Sequence, residues 1–183
     1  MWDNFKEIII LFFLAIQFFL GIGVQLGEKV PVIFEEKEST QVKTKNTATT
    51  TAVVTRVVDG DTIDVIFGDD SRPTRIRYIG IDTPESSPVS ECGSTEATTR
   101  NRELVENRSV QIISDISRYD KYGRLLAYIY VDDVFINETL LKEGLADIMT
   151  ISPNTKYSGQ FTTIRDYAKA SKVGIWSWCD NQL

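Results

Sequence analysis

Three short segments hold the residue types most able to do chemistry. VVDGDTIDV supplies Asp59, Asp61 and Thr62. RYIGIDTPE supplies Arg77, Asp82, Thr83 and Glu85, and DKYGRLLAYIYV supplies Lys121, Tyr122 and Arg124. Each also has an ordinary reading. DGD is a common hairpin turn, because Asp and Gly both tolerate turn dihedrals; DTPE could cap a strand end, and DKYGR could be an exposed hairpin tip. The chain has no histidine. That excludes Ser-His-Asp and Cys-His nucleophile pairs and histidine-ligated zinc. Any acid–base or metal chemistry must come from Asp and Glu, with Arg or Lys left to hold anions.

The elements that would position these residues read from the same pattern. TAVVTRVV alternates β-branched residues as a strand does; DGD turns the chain and TIDVIF resumes the strand. In TRIRYIGI, Thr74, Ile76 and Tyr78 share one face, and Arg75 and Arg77 share the other; Pro84 ends it. A helix follows over about Thr95–Asn107, with Ser94 as its N-cap and Glu96 in the first turn. SVQIIS and LLAYIYV are paired strands around the DKYGR turn. FINETLLKEGLA is a short amphipathic helix with Gly144 as its cap, and FTTIRDYAKASKVG is a last helix closed by Gly174. Several strands, a helix, two strands and two helices fit an α+β fold: a small twisted β-barrel of the OB type with helices packed on it.

With its three motifs in order and at similar separations, the chain resembles the staphylococcal nuclease (thermonuclease-like) family from about Val53 to Trp176. LLAYIYV, NETLLKEGLA and the final GIWS add to the likeness. The resemblance implies a five-stranded OB-type barrel with three helices and a calcium-dependent hydrolase of DNA or RNA phosphodiesters that leaves 3′-phosphate ends. It gives Asp61 and Asp82 as calcium-binding carboxylates, with Thr83 donating a backbone carbonyl. Glu85 matches the carboxylate that activates or positions the attacking water, and Arg77 and Arg124 match the arginines that grip the scissile phosphate. Asp59 matches a second acidic residue near the metal, and Lys121 and Tyr122 are candidate substrate contacts. These roles make chemical sense. Calcium takes oxygen ligands, glutamate can accept or orient a water proton, and an arginine fork pairs with phosphate oxygens. Loss of either arginine is expected to silence cleavage and leave the fold intact.

The net charge is −6, and residues 51–183 alone carry 15 Lys and Arg against 20 Asp and Glu. A general nucleic-acid binder is usually basic, so cations must be concentrated at one site, with a metal offsetting some carboxylates. The stretch ADIMTISPN lacks the base-stacking tyrosines of the family's best-known member, and Tyr157, a few residues later, is the candidate substitute. Cys92 and Cys179 are the only cysteines. In an exported protein they would pair and tie the loop after Glu85 to the C-terminus; two unrelated thiols are the alternative.

Residues 8–24 are almost wholly apolar, with Gln17 the one strongly polar residue. Residues 1–27 therefore read as a membrane anchor or a signal peptide, and either would place the domain at or beyond a membrane. Residues 28–50 read as a flexible polar linker, and 51–183 as the nuclease domain, which is expected to be monomeric. Two other functions compete with hydrolysis. A tethered OB-type module could bind nucleic acid without cutting it, but such a module would be expected to lose carboxylates or arginines that are all present here. A surface adhesion domain would leave the whole site unexplained.

Overall fold

The computed structural model describes residues 50–179. The expected anchor or signal segment and almost all of the linker lie outside these residues. No helix among the described residues is long and apolar enough to cross a membrane.

The first three strands, β1 (Thr50–Val57), β2 (Thr62–Ile66) and β3 (Thr74–Tyr78), form an antiparallel meander. β1 starts one residue before the expected boundary and also pairs with β5 (Ser109–Ile113), which pairs with β6 (Leu125–Val131). β6 then runs parallel beside β3 and closes a five-stranded barrel. Closure leaves no free edge among these strands. Alternate positions of β1 face inward, Ala52 and Val54 among them. A register shift between Val54 and Arg56 then turns Val57 rather than Arg56 toward the core. Ile63, Val65, Ile76, Tyr78, Ala127 and Ile129 fill the barrel at near-zero exposure.

TRIRYIGI is not one strand. It breaks after Tyr78, and Gly80–Asp82 form a separate β4 that pairs with β8 (Asp147–Met149), so that Asp82 lies opposite Asp147. Gly80 makes the break: its φ is +84°, and a Cβ there would lie 2.8 Å from the Phe161 ring. Both the conformation and the close approach require glycine. β8 falls in the stretch that showed no strand pattern; its pairing with β4 supplies what its sequence does not.

Helix α1 (Ser94–Val105) follows the loop after Glu85. It is capped by Gly93 at φ +88° rather than by Ser94, whose hydroxyl bonds to Ser90 at 2.8 Å. The hairpin strand β7 (Val134–Phe135) leads into α2 (Ile136–Lys142). Helix α3 (Ser158–Ala170) begins earlier than its apolar pattern suggests, and a one-turn α4 (Ile175–Trp178) ends the described chain. Gly144 does close α2, at φ +63°. Buried Asn137 on α2 accepts from the Ile129 N–H at 3.0 Å and donates to the Ile79 carbonyl at 2.9 Å, tying the break after Tyr78 to β6. Cys92 and Cys179 form a disulfide that ties the loop before α1 to the end of α4.

Candidate active site

The DGD turn is folded into the interior. Asp59 Oδ1 accepts the Asp61 N–H at 3.0 Å, the local bond that shapes the turn. The Asp59 carbonyl is held from α1 by Asn101, which donates at 2.9 Å and also accepts the Tyr78 hydroxyl at 2.9 Å. Gly60 is there for space rather than turn geometry. A Cβ on it would meet Thr83 Oγ1 at 2.5 Å and the Ala97 methyl at 2.9 Å.

Asp61 is fully buried. Its Oδ2 accepts the Thr83 N–H at 2.8 Å and the Thr83 hydroxyl at 3.1 Å. Its Oδ1 accepts the Thr62 hydroxyl at 3.1 Å and Nη1 of Arg77. Nη2 of Arg77 donates to Asp82 Oδ1 and to the Ile81 carbonyl at 3.4 Å. Arg77 lies on the face opposite Ile76 and Tyr78, as the alternation requires. It is 8% exposed, because the β4 turn folds over it. Burial is the largest influence on Asp61 and raises its carboxyl well above the usual range; Arg77 opposes the rise, and Asp59 and Asp82 add to it. Two carboxylates therefore share one guanidinium, with the charge of Asp59 nearby, which leaves the pocket short of positive charge.

This arrangement fits a hard divalent cation. Two carboxylates that converge on one guanidinium also converge on a cation that seeks oxygen, and all available donors are oxygens. Among the described residues, no three acidic or cysteine side chains cluster into a cage. Asp61, Asp82 and the Thr83 carbonyl would hold such an ion only with water completing the shell. Asp59 is bonded within its own turn and acts at a distance, through its charge.

An open cleft of about 520 Å³ passes over this pocket, lined by Arg77, Asp82, Glu85, Lys121, Tyr122 and Arg124. Glu85 is exposed in it. Burial, then the charge of Asp59, raises its carboxyl, and Arg77 pulls it down. The loop carrying Glu85 is pinned at both ends: the Glu85 N–H donates to the Glu91 carboxylate at 2.9 Å, and the Glu91 N–H donates to the Glu85 carbonyl at 2.8 Å. In the same cleft, Asp120 organises the DKYGR turn. It accepts the Tyr122 N–H at 2.8 Å, the Arg124 N–H at 2.9 Å and Arg124 Nε at 2.6 Å. Burial works against its charge, but Arg124 and these backbone donors hold its carboxyl below the usual range. Lys121 and Arg124 flank the exposed Tyr122 ring, at 4.9 and 5.5 Å from its centre.

The structure thus brings Asp61, Arg77, Asp82, Thr83 and Glu85 together on one wall of the cleft, which Lys121, Tyr122 and Arg124 of the DKYGR turn also line. Tyr157 is not part of the site. Its ring packs 4.6 Å from Tyr128 and 5.1 Å from Phe135, in the aromatic core beneath α3. Apolar Met149, Ile151 and Pro153 line the cleft from the stretch without tyrosines. Asn101, Asn137, Asp120 and Glu91 support the site without having stood out in the sequence. Asp120 and Glu91 act within their own loops, where an acidic residue signals a local turn at most, whereas Asn101 and Asn137 act on partners far along the chain.

Fold and site together define a phosphodiesterase built on a small closed barrel. Residues 75–178 match the model of the family described as Staphylococcal nuclease homologue. The chain is 41% identical over 148 residues to Endonuclease YncB of Bacillus subtilis (strain 168), a match covering 78% of this chain and 69% of that protein. It is 46% identical over 127 residues to the SPbeta prophage-derived endonuclease YokF of the same strain, covering 67% of this chain and only 42% of YokF. Against the Thermonuclease of Staphylococcus hyicus it is 38% identical over 128 residues, covering 68% of this chain and 74% of that one. The chain belongs to the staphylococcal nuclease family, and it is a nuclease that hydrolyses phosphodiester bonds of nucleic acid.

Proposed function

We propose that the chain is a calcium-dependent endonuclease acting on DNA or RNA, leaving 3′-phosphate ends, and held at or beyond a membrane by its N-terminal segment. One observation carries the catalytic part: the guanidinium of Arg77 joins Asp61 and Asp82 beneath the same cleft that Glu85 and Arg124 line. Calcium, bound by Asp61, Asp82 and the Thr83 carbonyl, would supply charge neutralisation at a phosphate oxygen as phosphorus becomes five-coordinate.

The remaining work falls to the chain. Glu85 takes a proton from the attacking water, and its raised carboxyl brings its basicity closer to the operating pH. Arg77 and Arg124, which line the same cleft, donate to the phosphate oxygens. The new bond joins the water oxygen to phosphorus, and the bond to the 5′ oxygen breaks. The phosphate stays on the 3′ side, and the 5′ oxygen leaves as a hydroxyl after taking up a proton. Asp120 keeps the Arg124 fork in the cleft, so little ordering is left to do when substrate arrives. A disulfide suits an oxidising compartment, which supports the export reading of residues 1–27.

The test is cleavage of single-stranded DNA and RNA by the purified protein, in calcium and then in excess chelator. Cleavage in calcium alone, with new 5′ ends that accept phosphate from a kinase, is the expected result. Undiminished cleavage in chelator, or 5′-phosphate products, would overturn the reading. Sequencing the N-terminus of the mature chain reports whether residues 1–27 stay attached.

A further inference from the structure

Arg56 on β1, Asp64 on β2 and Arg75 on β3 are directly opposite one another in the two strand pairings, so they form one row across three strands of the barrel. Asp64 Oδ2 accepts Nε and Nη2 of Arg56 at 3.0 and 2.7 Å. Arg75 grips the same carboxylate with a fork, Nε to Oδ1 at 2.8 Å and Nη2 to Oδ2 at 3.2 Å. These bonds use Nε and Nη2 of both arginines and leave Nη1 of each for another acceptor. The row carries two positive charges against one negative, on a chain whose net charge is −6. Both arginine side chains stay open to solvent, at 60% and 45% exposure, while that of Asp64 is 9% exposed. The carboxylate fixes two outward cations.

The position of this row matters as much as its charge. Arg75 and Arg77 are two residues apart on β3, so they lie on one face, roughly 7 Å apart along the strand. A groove of about 570 Å³, lined by Arg56, Asp64, Arg75, Tyr122 and Arg124, adjoins the catalytic cleft, and the two share Tyr122 and Arg124. Backbone leaving the scissile phosphate past Tyr122 therefore enters a groove floored by fixed guanidinium groups. The Cα atoms of Arg56 and Arg75 are roughly 10 Å apart, two strand spacings, enough to meet successive phosphates.

We propose that the Arg56–Asp64–Arg75 row is a phosphate subsite for the polynucleotide strand flanking the scissile bond, and that it makes the enzyme favour long strands over single diesters. This rests on Arg77 and Arg124 gripping the scissile phosphate, as in the proposed function.

The test compares wild-type protein with the Arg56→Gln/Arg75→Gln variant in calcium. One probe is the nitrophenyl diester of thymidine 5′-phosphate, which has no flanking strand; the other is a single-stranded oligodeoxynucleotide. The ratio of kcat/KM for the oligonucleotide to that for the small diester should fall roughly five- to tenfold, since each exposed ionic contact contributes modestly. The salt dependence of oligonucleotide binding should become shallower by about 0.7 in log–log slope per lost contact. Arg56→Lys/Arg75→Lys, which keeps the charges, should recover most of the slope. Equal losses on both probes would mean the arginines act through β3 and Arg77, and would overturn the subsite. So would a slope change of the same size in Arg102→Gln, on α1, since that would be a general charge effect. The slope is also read by equilibrium binding in chelator, without turnover. A wild type that cleaves neither probe overturns the catalytic reading, while the slope still decides the subsite.

Discussion

The two walls of the cleft are built differently. One is interior: Asp61 has no exposure, Arg77 almost none, and each is bonded to the other. The other is a turn at the surface, where Arg124 is held by the carboxylate four residues before it and Tyr122 is 71% exposed. The sequence treated Arg77 and Arg124 alike, as two phosphate grips. The structure separates them, because a buried charge is part of the fold and an exposed one is not.

The sharpest way to break this contrast is to remove each arginine in turn. Arg77→Ala and Arg124→Ala should each slow cleavage by about a hundred- to a thousandfold, the usual cost of losing one donor at a reacting centre. Only Arg77→Ala should also destabilise the domain strongly. It leaves Asp61 buried without its partner, which typically costs about 3–5 kcal/mol; Arg124→Ala should cost less than about 1 kcal/mol. Urea unfolding of both variants, read beside kcat, checks the pair. Equal stability losses would erase the distinction between the walls.

The next effect belongs to the tie between the Glu85 loop and the C-terminus. Replacing Cys92 and Cys179 by serine should cost about 2–4 kcal/mol, a typical value for a native disulfide, seen as a lower urea midpoint. A smaller loss is expected of Asn101→Leu, which strands the Tyr78 hydroxyl and the Asp59 carbonyl in the interior, at about 1–3 kcal/mol. A matching loss of activity would show that the Asp59 turn transmits the change to the inner wall; an unchanged kcat would confine Asn101 to stability.

The smallest effect concerns acid. Hydrogen bonds from Arg75, then Arg56, hold the Asp64 carboxyl below its ordinary value, against the effect of its burial. A carboxyl lowered on folding adds stability above its unfolded value, and loses it as pH falls through the folded one. Asp64→Asn should therefore lower stability modestly at neutral pH, where the paired carboxylate contributes, and flatten the acid limb, so that the two proteins converge as pH falls well below the ordinary value of 3.8. A thermal melt series in acid measures it; identical acid limbs would remove the coupling from the account.

Much of this was legible in the residues. The three motifs, the barrel strands and the cysteine pair all have signatures that run along the chain: alternation, turn residues and a count of two. What stayed hidden depends on contacts between distant segments. Gly60 reads as a turn glycine until Thr83 and Ala97 are seen pressed against it. β8 has no strand pattern, because its partner β4 defines it. Tyr157 reads as a free aromatic until the core around Tyr128 claims it. The Arg77 side of β3 reads as a wet face, and is covered only because the chain folds back at Gly80.

That fold-back has a further consequence. Asp61 belongs to the barrel, whereas Asp82 belongs to the short ribbon that leans on Phe161 of α3. The span between the two acids is thus set by how the ribbon seats against the barrel, and Phe161 is its shim. A bulkier or smaller side chain there would retune the grip on a cation from a distance, with every ligand still in place.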